Sequence, residues 1–264
     1  MHKLCRYVRF SINPFLPAEE EGFNSFASKP AGEGLSVFLE LGIELAGEAD
    51  PATGLIVNVS DIDKKVRAYA VPLFAEKIRT DYRAASYIGY SELAELLKST
   101  WEKLADKFGA ARLSKMSLKL NPFRTLAVDK ADCAMVYLSE KFEFAAAHKL
   151  WNEQFSEQQN IEVFGRCANP AGHGHNYVVE VSVKWPARQD LRASNFEKVV
   201  HQELIKAVDH KNLNEDVPEF RKTNPTVENI AVFAWNKLVG RFGNAALHCV
   251  TIWETDKTYS SFYG

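Results

Sequence analysis

The chain has little of several features that would narrow its class at once. Its four cysteines among 264 residues lack tight spacing, which argues against a disulfide scaffold and favours a reducing cytoplasm. No apolar run approaches the roughly 20 residues that a membrane span needs, and the first residues lack a signal-peptide core. A net charge of −2 gives no reason to expect nucleic acid or a membrane as partner. We therefore expect a cytoplasmic globular protein.

Histidine is also scarce in the first half of the chain. Of the seven histidines, only His2 lies before position 148. An imidazole-based metal site is therefore expected only in the second half. The rest of the composition, 46% hydrophobic and 25% charged, is typical of a globular protein, and the length suits one large domain or two ordinary ones.

Two histidines stand two residues apart at the start of an alternating apolar run. In a strand, residues i and i+2 point to the same face, so His173 and His175 aim into one pocket. A third histidine, His148, ends another strand-like run, and Cys167 lies six residues before His173. If the two runs pair antiparallel, three imidazoles converge. A catalytic zinc ion is usually coordinated by three protein ligands and has one open coordination position.

The two halves of the chain resemble each other. Residues 101–109 (WEKLADKFG) match residues 235–243 (WNKLVGRFG), with an offset of 235 − 101 = 134. The same offset aligns strand-like segments on either side. Since this period has the size of a domain, it indicates two fused copies of one domain. We place the join near Lys130, which gives copy 1 (residues 1–130) and copy 2 (residues 131–264).

Each copy has the pattern of an α+β module, with an antiparallel four-stranded sheet and two helices on one face. The predicted helices lie near residues 60–69 and 91–108 in copy 1, and near 194–208 and from 226 onward in copy 2. The copies differ at the positions of the candidate metal-ligating and substrate-binding residues. The residues of copy 1 aligned with the polar candidates of copy 2 are Pro14 for His148, Glu33 for His173, Leu35 for His175 and Leu120 for Glu254. We therefore interpret copy 1 as structural.

Copy 2 contains five short stretches in a characteristic order. They are Phe144-Ala-Ala-Ala-His148, Phe164-Gly-Arg-Cys167, Gly172-His-Gly-His-Asn-Tyr177, Val208-Asp-His-Lys-Asn-Leu213, and Thr226-Val-Glu-Asn229 followed by Glu254-Thr255. With them, the chain from Lys141 to Gly264 resembles the 6-pyruvoyltetrahydropterin synthase family, which includes the 6-carboxytetrahydropterin synthases. The resemblance implies the tunnelling fold, in which α+β modules join edge to edge into a barrel with active sites between modules. Such closure removes exposed sheet edges. It also implies a homo-oligomer, either a dimer or a trimer of two-module chains.

The resemblance also implies roles for the metal and the thiol. It makes His148, His173 and His175 ligands of Zn²⁺, which would polarise a substrate oxygen as a Lewis acid. It makes Cys167 the general base that removes a proton from the side chain of the pterin. A thiol near a dication should have a lowered pKa, which would provide thiolate at neutral pH.

The remaining site residues follow from the same resemblance. Asp209 and His210 match the proton-relay pair of the family, in which a carboxylate orients an imidazole. Glu254 matches the pterin anchor, since a carboxylate can accept two hydrogen bonds from the 2-amino and N3–H edge. Thr226 and Glu228 are expected to line the same pocket, although a helix N-cap role is equally expected for Thr226.

We expect a carbon–oxygen lyase that converts 7,8-dihydroneopterin triphosphate to 6-pyruvoyltetrahydropterin. The triphosphate would need cations, and Lys149, Arg166 and Lys211 lie beside the motifs. The six-residue spacing from Cys167 to His173 favours the pyruvoyl-forming branch over the carboxy-forming branch of queuosine synthesis. A side-chain-cleaving pterin enzyme, a pterin- or purine-binding module without catalysis and a structural zinc protein are the alternatives.

Overall fold

The structure of the protein is a computed structural model that describes residues 1–17, 20, 32, 34–187, 189 and 191–264. Glu33 lies outside the described residues. The chain divides into two compact units. The N-terminal unit comprises Met1–Leu138 and Trp185–Asp190, and the C-terminal unit comprises Ser139–Lys184 and Leu191–Gly264. This division falls close to the join expected near Lys130, while the internal repeat itself stays a prediction.

The sheet of the N-terminal unit has four antiparallel strands. They are β1 (His2–Ile12), β2 (Val37–Gly47), β3 (Arg112–Lys119) and β4 (Arg124–Asp129), hydrogen-bonded in that order. Val8 lies opposite Leu41, which in turn lies opposite Leu118. All three side chains are fully buried. Because alternate residues of a strand share a face, this row forms the apolar side of the sheet.

Among its described residues, the N-terminal unit has three α-helices where two were predicted. They are α1 (Val59–Tyr69), α2 (Val71–Arg83) and α3 (Tyr90–Leu104). Asn58 caps α1, since its Oδ1 accepts the backbone N–H of Ser60 at 3.0 Å. The unpredicted helix is α2. Pro72 reads as a helix break in the sequence, but in the structure it lies in the first turn of α2, where proline is tolerated.

The sheet of the C-terminal unit carries the candidate site. Its strands are β5 (Met135–His148, with this unit from Ser139 onward), β6 (His173–Pro186), β7 (Lys211–Asn212), β8 (Ala246–Thr255) and β9 (Thr258–Phe262). The hydrogen-bonded order is β5-β6-β8-β9, with the short β7 parallel to β5. Val179 lies opposite Ile252 in the antiparallel β6–β8 pair, and both are fully buried. Alternate residues, counted from Val179 along β6 and from Ile252 along β8, lie on that same side of the sheet. They include His175 and Glu254.

The helices of the C-terminal unit are α4 (Glu157–Phe164), α5 (Ala193–Val200), α6 (Lys206–Val208), α7 (Leu213–Asp216) and α8 (Val227–Leu238). A π-helical turn, His201–Ile205, joins α5 to α6, so the helix predicted over 194–208 is one continuous helical stretch. α8 packs on β8 and β9 through a buried stripe that includes Ile230 and Ala234. Across the described ranges, no helix is long and apolar enough to cross a membrane.

Candidate metal centre and active site

Three histidines lie together at the ends of two strands. His148 is the last residue of β5, and His173 and His175 are the first and third residues of β6. One ring nitrogen from each lies within 4.8 Å of the others. The convergence predicted from the strand pattern is therefore present, and the cluster could hold a metal ion.

A backbone carbonyl fixes the orientation of His148. Its Nδ1 lies 2.8 Å from the carbonyl oxygen of Pro225. Because a carbonyl oxygen only accepts, Nδ1 carries the hydrogen and the lone pair is on Nε2. That Nε2 faces Nε2 of His173 at 3.2 Å. Burial lowers the pKa of His148, so the neutral, metal-ligating form is favoured.

The donor atoms of the cluster suit a metal cation. Nε2 of His175 is buried and has no hydrogen-bond partner among the residues that the structure describes. Burial lowers the pKa of this imidazole as well, although the negative charge of Glu254 acts in the opposite direction. Lone pairs that face one another in a desolvated pocket are unfavourable unless a donor or cation lies between them. Three neutral imidazoles are a donor set that suits a borderline metal such as zinc.

Gly172 allows the two ligand-bearing segments to approach closely. Its φ of +69° lies in the left-handed region. A Cβ at this position would lie 2.9 Å from the carbonyl oxygen of His148. Any other residue would therefore push the start of β6 away from the end of β5. This contact explains why glycine directly precedes His173.

Cys167 lies at the edge of the histidine cluster. It belongs to a 3₁₀ turn, Gly165–Ala168, and its carbonyl oxygen accepts the N–H of Leu150 at 2.8 Å. Its Sγ lies 3.7 Å from Nε2 of His173. Burial raises the pKa of the thiol, and the negative charge of Glu254 raises it further. The lowered pKa expected from the sequence is therefore not a property of the protein groups alone, and it requires a nearby cation.

Glu254, near the end of β8, reaches the same cluster. Its Oε1 lies 3.4 Å from Nε2 of His148 and 3.5 Å from Nε2 of His175. The side chain is 19% exposed. The sequence predicted a pterin anchor at this position, and the structure places the carboxylate directly beside two of the three histidines.

Asp209 and His210 form a pair, as expected of a relay. Asp209 Oδ1 lies 3.0 Å from Nδ1 of His210 and also accepts the N–H of Ala145 at 3.0 Å. That N–H, and then His210, lower the pKa of Asp209. His210 has a φ of +55°, and its own N–H donates to the carbonyl oxygen of Ala145 at 2.6 Å. These bonds hold the backbone of His210 in a conformation that non-glycine residues seldom adopt.

The relay pair is close to the histidine cluster but not bonded to it. The His210 side chain is 83% exposed, and within the described part of the chain it has no hydrogen bond to Cys167 or to the cluster. His210 and His175 nevertheless line one surface groove of about 470 Å³. Lys211, one of the cations considered for the triphosphate, lines the same groove.

Thr226 and Glu228, which the sequence analysis expected to line the pterin pocket, lie at the start of α8 and differ in their surroundings. Thr226 is the N-cap, and its Oγ1 accepts the N–H of Asn229 at 3.3 Å. The capping role is therefore present. Glu228 is exposed in the first turn of the same helix. Neither side chain contacts the histidine cluster in the described structure.

The structure adds residues that the sequence analysis did not single out. Tyr177 is fully buried, with its hydroxyl 3.4 Å from Nδ1 of His148 and its ring stacked on Phe144. The alternation that links His173 to His175 continues to Tyr177 and could have indicated it. The hydrogen bond from His148 to the carbonyl oxygen of Pro225 could not be predicted, because every residue has a backbone carbonyl and only the fold shows which one lies near the ring.

A second cavity has a volume of about 680 Å³. It is lined by His148 of the cluster, by Gly172, which precedes His173, and by three cationic residues, Lys149, Arg221 and Lys222. Lys149 was considered from the sequence, whereas the other two lie outside the motifs. Arg166, the remaining candidate cation, is exposed in the turn that holds Cys167.

The fold and the site together define an α+β protein whose C-terminal unit has a histidine cluster that could hold a metal ion, bordered by a thiol and a carboxylate. Residues 137–264 match the sequence model of the family described as 6-pyruvoyl tetrahydropterin synthase. The human 6-pyruvoyl tetrahydrobiopterin synthase is 35% identical over 131 residues, which cover 48% of this chain and 90% of the relative. The Drosophila melanogaster protein of the same name is 36% identical over 135 residues, or 49% of this chain and 80% of the relative.

A solved structure of Caenorhabditis elegans 6-pyruvoyl tetrahydropterin synthase aligns with 49% of this chain and 96% of its own. The identity is 33% and the TM-score is 0.45. From the sequence relatives, which are covered over most of their length, the chain belongs to the 6-pyruvoyl tetrahydropterin synthase family.

Proposed function

We propose that the protein is a zinc-dependent pterin lyase that converts 7,8-dihydroneopterin triphosphate to 6-pyruvoyltetrahydropterin and triphosphate. The observation that carries this proposal is the convergence of His148, His173 and His175 beside Cys167 and Glu254, in a chain of this family. The names of the human and Drosophila relatives support the pyruvoyl product over the carboxy product.

The reaction is internally balanced. The first hydroxyl-bearing carbon of the side chain is oxidised to a carbonyl, and its two hydrogens reduce the C=N bond of the dihydropterin ring. A proton then leaves the second hydroxyl-bearing carbon as triphosphate departs with the electron pair of the carbon–oxygen bond. The enol that remains transfers its hydroxyl proton to the terminal carbon and becomes a methyl ketone. No external oxidant or reductant is needed, so the site has to supply only proton transfer and charge stabilisation.

Zinc bound by the three histidines would supply a Lewis acid for an oxygen of the substrate side chain. Cys167 then takes a proton from the adjacent carbon. Its sulfur lies 3.7 Å from Nε2 of His173, at the border of the cluster. Since burial and Glu254 raise the pKa of this thiol, a cation held by the histidines is what would make its thiolate accessible at neutral pH.

Asp209 and His210 would move the second proton. With Nδ1 of His210 bonded to Asp209 at 3.0 Å, Nε2 is left to exchange a proton with the substrate. The groove shared with His175 is the route by which the relay would reach the substrate. Glu254 would accept hydrogen bonds from the pterin edge. Thr226, whose hydroxyl hydrogen is not used in capping, and Glu228 would border the pterin.

We also propose that the protein acts as a homo-oligomer in which tunnelling-fold modules close a barrel. β1 lies at one end of the strand order of the N-terminal unit, and β9 lies at one end of that of the C-terminal unit. Among the described residues, the outer edge of each of these two strands has no strand partner. Such edges favour pairing with another copy. Light scattering after gel filtration would test this, and a monomer at micromolar concentration would contradict it.

The reaction is tested with the purified, zinc-loaded protein and 7,8-dihydroneopterin triphosphate. Release of triphosphate is followed, and the pterin product is identified by mass spectrometry. We expect the pyruvoyl product from the wild-type protein and from His201→Ala, a change of an exposed histidine in the same unit. We expect none from His148→Ala. A carboxy or hydroxymethyl product would assign a different branch, and no turnover would favour a pterin-binding module.

A further inference from the structure

We propose that Asn160 and Asn214 are positioning residues that hold Cys167 beside the histidine cluster. They act through the 149–152 segment, which follows directly after His148 at the end of β5. The inference rests on the proposed function in one respect, because Cys167 is the base of that reaction. It concerns how the chain fixes the place of the thiol, and it does not depend on which pterin product is formed.

Each end of the 149–152 segment is paired with the side-chain amide of an asparagine. At the first end, the N–H of Lys149 donates to Oδ1 of Asn214 at 2.7 Å, and Nδ2 of Asn214 donates to the carbonyl oxygen of Lys149 at 2.9 Å. At the other end, the N–H of Asn152 donates to Oδ1 of Asn160 at 2.8 Å, and Nδ2 of Asn160 donates to the carbonyl oxygen of Asn152 at 3.0 Å. Each amide thus accepts from and donates to one backbone residue, as a paired strand residue would.

Between its ends, the segment is bonded directly to the residue that carries the thiol. The N–H of Leu150 donates to the carbonyl oxygen of Cys167 at 2.8 Å. The N–H of Trp151 donates to Oδ1 of Asn224 at 2.9 Å. Because the segment continues from His148 along the chain, the bond at Leu150 sets the place of the thiol-bearing turn relative to the first histidine of the cluster.

Asn160 also lies on the helix that leads to Cys167. It belongs to α4, and the 3₁₀ turn of Cys167 follows that helix directly. Asn160 is fully buried, and its Nδ2 lies 3.3 Å and 3.1 Å from the carbonyl oxygens of Phe155 and Ser156. It is the one buried residue of α4, all of which is described. Since little apolar packing fixes this helix, its position depends on the directional bonds of the amide.

The place of the thiol matters because proton removal requires a short contact between the base and the carbon. Reacting groups that are misplaced by about 1 Å can lower a rate roughly 100-fold. Sγ of Cys167 lies 3.7 Å from Nε2 of His173. If either end of the 149–152 segment were released, the turn of Cys167 could move relative to the histidines while all three histidines remained. We therefore expect a loss of rate without a loss of metal.

The first test separates position from stability in the full-length, zinc-loaded protein. The variants are Asn160→Ala and Asn214→Ala. The matched control is Asn58→Ala, which removes the asparagine that caps α1 in the N-terminal unit. All three changes should lower the midpoint of urea unfolding, because each leaves backbone groups without a side-chain partner. In the first two variants, kcat for triphosphate release should fall about 10- to 100-fold, with KM within about threefold and zinc content unchanged. The control should keep the wild-type kcat.

Alkylation of the thiols gives a second readout that needs no turnover. Modification of each cysteine by iodoacetamide is followed by peptide mass spectrometry, with the exposed Cys5 and Cys133 as internal references. Cys167 is only partly exposed. Local opening of its turn should raise the ratio of its alkylation rate to that of Cys133 about three- to tenfold in Asn160→Ala and Asn214→Ala. The ratio should not change in Asn58→Ala. An unchanged ratio in the folded Asn160 and Asn214 variants would overturn the inference.

The two readouts distinguish this inference from the proposed function. A raised alkylation ratio in a protein that does not turn over the triphosphate substrate would leave the positioning role standing and reject the reaction. Turnover with kcat and alkylation ratio both unchanged in Asn214→Ala would do the reverse. If Asn160→Ala does not fold, the half-buried Asn214 provides the same test. A loss of zinc in parallel with the rate would overturn the inference, since the change would then act on the ligands.

Discussion

Two carboxylates, Asp63 in the N-terminal unit and Glu254 in the C-terminal unit, have partners of different kinds. In the N-terminal unit, the 1% exposed Asp63 is held by two hydrogen bonds from Arg6, at 2.8 and 3.3 Å, and Glu40 lies 2.6 Å from Arg9. In the C-terminal unit, the ion-pair partners of Glu254 in the described chain are two histidines. Burial lowers the pKa of both histidines, so neither is a reliable positive charge.

This difference is what we expect if the N-terminal unit is structural and the C-terminal unit is functional. A buried carboxylate paired with arginine is complete within the chain, and it requires no ligand. A carboxylate beside two imidazoles whose neutral forms are favoured is complete only when a cation joins it. The alignment of Pro14 and Leu35 with two of the ligands, from which copy 1 was interpreted as structural, stays a prediction. The predictions that follow test this contrast.

The largest effect is expected from the loss of a histidine ligand. In His148→Ala, bound zinc should fall below one ion per chain, and lyase activity should fall at least about 100-fold. The metal content by plasma mass spectrometry and the rate of triphosphate release measure the two effects. His248→Ala, a matched change outside the cluster, should keep both. Full zinc occupancy in His148→Ala would contradict the contrast between the units.

The next largest effect is expected from the loss of Cys167, and it should separate the catalytic rate from metal binding. Cys167→Ala should lower the rate by about 10²- to 10⁴-fold, because a positioned base is lost, while zinc content stays that of the wild-type protein. The exposed Cys133→Ala, in the N-terminal unit, is the control and should be without effect on the rate. Loss of zinc together with activity would instead make Cys167 a ligand.

A third effect should appear in stability alone. Arg6→Leu leaves the buried Asp63 without its bidentate partner and should lower the free energy of unfolding by about 2–4 kcal/mol. Arg9→Leu should cost less, because the Arg9 side chain is 49% exposed. Urea unfolding measures both. Activity per folded molecule and zinc content should stay unchanged, and a loss of either would show that the N-terminal unit contributes to the site.

Much of the site could be predicted because its signals are local. The spacing of His173 and His175 fixes a shared strand face whatever the tertiary fold. The end of the strand at His148 followed from its apolar alternation. The contact between Glu254 and the cluster was not predictable, since it depends on the β6–β8 register and therefore on pairing between distant segments.

The two helices that were not predicted from the sequence, α2 and α4, also have physical explanations. A proline after a helical pattern usually marks an end, so α2, which begins at Val71 with Pro72 in its first turn, was hidden. The eight-residue α4 has a capping box at Ser156 and Gln159 but only one buried residue, Asn160. A helix with so little apolar surface has no periodic pattern to recognise. The burial that raises the pKa of Cys167 in the metal-free protein was unknown from the sequence, while the lowered pKa expected beside a bound cation stays a prediction.

The smallest effect concerns the relay pair and pH. The pKa of Asp209 is lowered in the folded protein, mainly by the N–H of Ala145 and then by His210. A carboxylate with a lowered pKa in the folded state stabilises the protein above its unfolded pKa, and this contribution is lost as the pH falls through the folded value. Asp209→Asn should therefore be less stable than the wild-type protein near neutral pH, by less than about 1 kcal/mol because the group is near the surface. The difference should be constant above about pH 5 and shrink below about pH 4. Urea unfolding at several pH values measures it. A difference that grew on acidification would mean that the contacts with Ala145 and His210 do not favour the ionised carboxylate.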